Sequence, residues 1–215
     1  MKSSAVQTKI FRWTLRIVLV VPFFYWLYLG FTGGLGAQPI VTINRQTGYV
    51  VLSLIVLNLW LGVFIRRKWL GPRWVRWIFS ERRALGIAAG IYVVLHFCSY
   101  LGKEAFEPKA FAQIATKLYL TLGFTAFLAV LVMTLTSNDF SVKKLGFKNW
   151  KRLHRVIHIA SFFILGHIFL IEKGNLPLMA ALTFPLMPFQ LYRLGDFLRS
   201  RRPAVSDANR SVTPP

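Results

Sequence analysis

Apolar residues in this chain come in long unbroken runs, and the charged residues are gathered into short blocks between them. Six runs stand out, at roughly 12–30, 47–65, 84–101, 118–136, 153–171 and 176–194. A helix that crosses a bilayer needs about 20 mostly apolar residues, within a range of about 17–25. The pattern therefore predicts an all-α membrane protein, a six-transmembrane-helix bundle occupying 12–194 as one domain. Residues 1–11 are expected to form a short cytoplasmic N-terminus. The polar, basic stretch 195–215 is expected to be a disordered cytoplasmic tail. Pro177, Pro185 and Pro188 lie in the sixth run. Proline in a spanning helix frees backbone carbonyls that neighbours must satisfy, so this helix should be kinked and packed on the bundle.

Composition agrees. Of 215 residues, 55% are hydrophobic and only 16% charged, against about 25% charged in a soluble domain. The net charge of +20 raises the question of nucleic acid, but its distribution answers it. With the N-terminus inside, the cytoplasmic segments carry 22 Lys and Arg residues and the outer loops five: Arg45, Lys103, Lys109, Lys117 and Lys173. So strong a bias places both termini in the cytoplasm and makes the basic blocks topology signals facing anionic lipid, not a nucleic-acid surface. Trp60, Trp69, Trp74, Trp77 and Trp150 fall near the cytoplasmic ends of the runs and fit an interfacial aromatic belt. Lys2, Lys9, Arg12 and Arg16 precede the first run, and no small-residue cleavage site follows it, so a retained first helix is expected. The single cysteine, Cys98, permits no internal disulfide and no Cys-based cluster, and reads as a small buried hydrophobe. In the first outer loop, Gly33-Gly34-Leu35-Gly36 demands unusual backbone angles. Pro39 should then open a short amphipathic helix with Ile40, Ile43 and Thr47, either a connection or a partner-docking surface.

The histidines carry the candidate chemistry. A histidine within a membrane span normally faces a partner, a cavity or a metal. His96 lies 13 residues after Arg83, and His167 lies 12 after Arg155. At 1.5 Å per residue the two sit about 20 and 18 Å from the inner edge, on spans that run in the same direction. Two parallel helices that each offer an imidazole at one level can clamp a haem iron from both sides. Neither span offers an acid to orient these rings, so any bond to the second ring nitrogen must come from a backbone carbonyl, a hydroxyl or water. His154, at the inner edge and about 20 Å below His167, could serve a second haem. The positions opposite it are Arg82 and Arg83, which cannot bind iron, so a second haem would be singly ligated, would recruit another residue, or does not exist. Thirteen residues turn an ideal helix by about 220°, so His154 and His167 should face different sides; Gly166 is a candidate for local distortion or for close cofactor approach. His158, one turn from His154, reads as a packing residue. Gly86 and Gly90 allow close helix approach or a flat macrocycle. Asn58, Thr121 and Thr125 are expected to bond between helices.

No phosphate-binding glycine loop follows a strand, and no soluble segment is large enough for a nicotinamide or flavin-dinucleotide domain. None of the seven acids lies mid-span, which weighs against a haem-free transporter, since proton and cation pathways usually need them. The readings left open are a membrane cytochrome (an electron-transfer subunit that is not itself catalytic), a ferric-chelate reductase or other b-type cytochrome, and, in another class, a haem-free transporter or assembly factor.

An ordered set of short motifs resembles the MsrQ (YedZ) family, a member of the ferric-reductase-like transmembrane group. The set comprises Gly33-Gly34-Leu35-Gly36-Ala37-Gln38-Pro39 with Thr47-Gly48, Arg82-Arg83-Ala84-Leu85-Gly86, and Leu95-His96 with Ser99-Tyr100. It continues with Tyr119-Leu120-Thr121-Leu122-Gly123, Lys144-Leu145-Gly146, Trp150, Leu153-His154 and Gly166-His167. The resemblance covers the chain from Pro22 to about Arg193. It implies a multi-pass protein of the bacterial inner membrane that carries haem b on His96, His154 and His167, and an FMN. Electrons would arrive from the quinone pool or a cytosolic flavin reductase. They would leave to a periplasmic molybdenum-dependent methionine sulfoxide reductase, MsrP, which repairs oxidised periplasmic proteins. His158 is outside the family pattern, while the 13-residue spacing of His154 and His167 belongs to it.

Overall fold

The computed structural model describes residues 2–66, 73–171 and 175–200. Trp69, Lys173 and positions 201–215 of the expected tail lie outside the described residues. What is described is helical throughout. The elements are α1 (Lys2–Thr32), α2 (Pro39–Arg66), α3 (Arg73–Ser80), α4 (Arg82–Lys103), α5 (Pro108–Thr116), α6 (Leu118–Leu135), α7 (Asp139–Leu145), α8 (Phe147–His154), α9 (Ile157–Ile171), α10 (Leu176–Thr183) and α11 (Met187–Ser200).

Five segments are long and apolar enough to cross a membrane: Val6–Thr32, Pro39–Ile65, Arg82–Lys103, Leu118–Leu135 and Phe147–Ile171. They correspond to the first five apolar runs, and the protein is a multi-pass membrane protein. The sixth run is interrupted at its prolines, as expected, and further than a kink requires. It is broken into α10 and α11, neither of which is long enough to span. The cause is local. Pro185 lacks an N–H and its ring excludes the preceding turn, and Pro188 sits in the first turn of α11. The carbonyl of Pro185 does find a donor, as the bilayer requires: Trp60 Nε1 on α2 lies 2.9 Å away. The ends also differ from expectation. The first helix begins at Lys2, and α11 continues to Ser200, so the boundaries at 12 and 194 are not helix boundaries. Pro39 opens a helix as predicted, but it is α2 itself, continuous through the second span. The short α5 was not anticipated.

The bundle is organised around α4. Helix α2 lies along α4, α4 packs on α6, and α6 on α9. Ile55 and Leu59 of α2, Leu85, Ala89, Tyr92 and Val93 of α4, Val130 and Met133 of α6, and Leu186 and Phe189 form the buried apolar core. Helix α1 sits at the periphery with Ile10, Trp13, Ile17 and Phe24 exposed, as suits a lipid-facing helix. Two polar contacts help attach it, beside the packing of Trp26 on Tyr92. Tyr92 donates its hydroxyl to the carbonyl of Leu19 at 2.6 Å. Glu81, buried at 6% exposure, receives Arg12 Nε at 2.8 Å.

Several smaller expectations resolve. Trp60, Trp77 and Trp150 do more than mark an interface: Trp77 packs on Phe11 with ring centres 5.5 Å apart, and Trp150 Nε1 donates to Thr136 O at 2.8 Å. Cys98 is exposed, not buried. Thr121 bonds to Ile114 O of α5 at 2.6 Å, but Thr125 bonds within its own helix. The Asn58 amide, oriented to donate to Arg82 O at 3.3 Å, accepts from Gly86 N at 3.2 Å and joins α2 to α4.

Gly90 and Gly86 divide the two roles proposed for small residues. A Cβ at Gly90 would overlap the side chain of Thr134 on α6, whereas one at Gly86 would meet nothing within 4 Å. Gly90→Ala is therefore expected to destabilise the bundle by about 1–3 kcal/mol, the usual overpacking range, while Gly86→Ala leaves it nearly unchanged. Thermal unfolding in detergent compares the two directly.

Candidate functional site between four helices

A cavity of about 510 Å³ opens between α2, α4, α6 and α9. Its wall is largely apolar and aromatic: Leu52 and Ile55, Val93 and Phe97, Phe124 and Phe127, Ile164 and Ile168. His96 of α4 and His167 of α9 both lie on it. The two spans thus bring to one chamber the pair of imidazoles that equal depth predicted.

Each ring is held in the same way by a neighbouring helix. His96 Nδ1 lies 2.8 Å from the backbone carbonyl of Asn44 on α2. His167 Nδ1 lies 2.7 Å from the carbonyl of Tyr119 on α6. A carbonyl can only accept, so Nδ1 carries the proton and donates, and Nε2 keeps its lone pair. That tautomer is what a metal requires of an imidazole, and this is the carbonyl option among the expected orienting groups. The Asn44 side chain grips the same turn of α4, donating to His96 O and to Ser99 Oγ, both at 2.9 Å.

Glycines make room for the rings. A Cβ at Gly123 would come within 2.6 Å of His167 Nδ1, and one at Gly48 within 3.1 Å of His96 Cε1. Position 123 therefore has no space for a side chain while His167 stands where it does. Asn44, Gly48, Tyr119 and Gly123 were not singled out as site residues from the sequence. The two acceptors are backbone atoms that any residue would supply. Gly48, Tyr119 and Gly123 stand in the sequence only as members of the quoted motifs, with no role attached.

His154 is elsewhere. It lines a second cavity, of about 720 Å³, toward the Arg82 end of α4, the inner end on the expected topology as the first cavity is the outer one, together with His158, Asn58, Gly86 and Trp150. Its ring stands 4.1 Å from the Trp150 ring centre, and Thr136 Oγ1 is 3.3 Å from its Nε2. His154 and His167 thus face different chambers. The chain does not reach this with an ideal helix. It breaks at Arg155 and Val156, between α8 and α9, where tight bonds run from Arg155 N to Arg152 O and from Val156 N to Leu153 O. Gly166 is not the point of distortion; it admits Leu122 Cδ1, which would lie 2.9 Å from a Cβ there. His158 packs as expected, 5.7 Å from Phe189 with the rings nearly parallel, yet it also borders the inner cavity, and its Nδ1 has no hydrogen-bond partner.

The inner cavity is electropositive. Arg82, Arg83, Lys151, Arg155 and Arg193 line it, and no Asp or Glu does among the described residues. Arg83 also pairs at 2.6 Å with Asp139 on the surface, and its guanidinium holds that carboxyl below the usual carboxylate range. Among the described residues no group of three or more His, Cys, Asp or Glu could hold a bare metal ion. Two imidazoles on one cavity could ligate a metal there together with a prosthetic group that brings the remaining ligands.

Residues 47–166 match the family model of the ferric reductase like transmembrane component. Over 188 residues the chain is 37% identical to the protein-methionine-sulfoxide reductase heme-binding subunit MsrQ of Deinococcus radiodurans, covering 86% of this chain and 90% of that protein. The chain belongs to the MsrQ family. The proteins of the same name from Brucella melitensis biotype 2 and Brucella ovis are 31% and 30% identical over 206 residues, covering 93% of this chain and 89% of theirs. No solved structure matches. The family match spans all four helices of the outer cavity from Thr47 onward, and it takes in both His96 and His154 while ending at Gly166, one residue before His167.

Proposed function

We propose that this chain is a haem b electron-transfer subunit of the bacterial inner membrane, with His96 and His167 as the axial ligands in the outer cavity. One observation carries the reading. Two imidazoles on different helices border one apolar chamber, and each has its Nδ1–H bonded to a backbone carbonyl, which leaves Nε2 available for iron. The fit is supported by the chamber's volume, which is in the range of cofactor pockets, and by its aromatic and aliphatic wall. Haem, when bound, supplies a one-electron carrier that the side chains of this protein lack. The chain's own contribution is to fix two ring orientations, exclude water and provide a low-dielectric surround that tunes the potential.

His154 is proposed as the single protein ligand for a second haem at the inner level, since Arg82 and Arg83 occupy the opposing position. The FMN implied by the family resemblance is proposed to be the alternative occupant of that electropositive chamber, where Arg82, Lys151 and Arg155 suit a phosphate. The topology proposed has six crossings, α10 and α11 together making a broken sixth, with both termini in the cytoplasm. The lopsided distribution of Lys and Arg supports it. The donor is proposed to be the quinone pool or a cytosolic flavin reductase. The acceptor is proposed to be an MsrP-like periplasmic molybdoenzyme, because the relatives are named as subunits of a methionine sulfoxide reductase. The ferric reductase name of the matching family model favours a second acceptor, ferric chelates.

Purified protein should show a Soret band that shifts on reduction. His96→Ala and His167→Ala should each remove most of the outer haem, measured as pyridine haemochrome; bis-histidine spectra retained in both would overturn the assignment. His154→Ala should leave that haem in place. Mixing the reduced protein with the periplasmic reductase or with ferric citrate separates the acceptors: rapid reoxidation by chelate alone would favour the second.

Space around the rings gives an independent check. Gly123→Val should displace His167 and lower haem content severalfold. Gly48→Ala, which asks the His96 ring to give only a few tenths of an ångström, should lower it far less.

A further inference from the structure

Thr47 stands on α2 one residue before Gly48 and is fully buried, at 0% exposure. Its hydroxyl oxygen lies 2.8 Å from Ile43 O, 2.9 Å from Asn44 O and 3.3 Å from His96 Nδ1. A hydroxyl has one hydrogen and two lone pairs. The shortest contact, back to the carbonyl four residues earlier, is the usual destination for a helical threonine's hydrogen. The oxygen then has lone pairs left for the imidazole. The Nδ1–H of His96 is accordingly shared between two acceptors, Asn44 O at 2.8 Å and Thr47 Oγ1 at 3.3 Å. His167 differs, since a single acceptor, Tyr119 O, is found at its Nδ1.

We propose that Thr47 is a positioning residue for His96, and that its hydroxyl makes His96 the more electron-rich of the two ring ligands. Thr47 and Gly48 act as a pair: the glycine vacates the space beside the ring, and the threonine supplies an acceptor at its edge. More hydrogen bonding at Nδ1 raises the basicity of Nε2. A more basic ligand favours ferric over ferrous iron and lowers the reduction potential. The proposal rests on the haem assignment to His96 and His167, and it goes beyond that assignment by naming what sets the inequality between the ligands.

Thr47→Val keeps the shape and removes the hydroxyl, and Thr47→Ser keeps the hydroxyl. Haem content and midpoint potential are measured on the purified full chain by redox titration of the Soret band. The expected result is haem content within twofold of the parent in both variants, an upward shift of potential in Thr47→Val, and the parent value in Thr47→Ser. The low-spin ferric electron paramagnetic resonance signal should move in Thr47→Val alone. An unchanged potential in Thr47→Val would mean that the hydroxyl serves only its own helix. A downward shift would mean that its hydrogen goes to Asn44 O and weakens that carbonyl as an acceptor. Either result overturns the proposal while leaving the haem assignment intact. A parent protein without haem would instead overturn the assignment on which it rests. Should Thr47→Val lose haem through misfolding, Thr47→Ala supplies a second hydroxyl-free variant under the same expectation.

Discussion

An imidazole cannot sit in a low-dielectric interior with its N–H unpaired, and this chain answers that need with backbone carbonyls. A carbonyl inside a helix is already an acceptor for the amide one turn on, but its second lone pair remains usable. Asn44 O and Tyr119 O use it on His96 and His167. The choice has a structural price: a neighbouring helix must approach closely enough for its main chain to reach a side chain. That is why the helices alternate around the outer cavity, with α2 serving α4 and α6 serving α9. It is also why Gly48 and Gly123 stand at the contacts. The close approach, the tautomer and the missing side chains are a single arrangement.

The rest of the bundle protects that spacing. Thr134 fills the place beside Gly90 and fixes how near α6 comes to α4. Trp60 meets the carbonyl freed at Pro185 and anchors the broken segment onto α2. Gln190 donates to Ser161 Oγ and to the carbonyl of His158, which pins α11 to the inner part of α9. Polar contacts of this kind join the helices both where one is interrupted, as at Pro185, and along unbroken stretches, as between Asn44 and His96. Elsewhere, apolar packing suffices, and the outward face of α1 is left to lipid.

Much of this was legible in the sequence. Five of the six spans followed from apolar length, and the common cavity of His96 and His167 followed from counting residues from Arg83 and Arg155. Counting worked because rise per residue is nearly constant whatever the side chains. It could not find the break at Arg155 and Val156, since no proline or glycine marks it. It also pointed to Gly166, whose small size serves Leu122 instead. In the sixth run the prolines foretold an interruption but not its extent: hydropathy records that a segment is apolar, not that it is one helix, and Pro185 decides the second question. Asn44 and Tyr119 act through atoms that every residue carries, so their part in the site was invisible until neighbours were known.

Glu81 has a bearing on how the chain assembles. Its carboxylate is buried beside Arg12 and Arg16, and an acid in such a place without a cation is strongly unfavourable. Those arginines belong to the helix that a ribosome makes first, while Glu81 stands at the threshold of α4, made third among the long apolar segments. The peripheral helix, which lines neither cavity among the described residues, thereby supplies the charge that the buried start of the central helix requires.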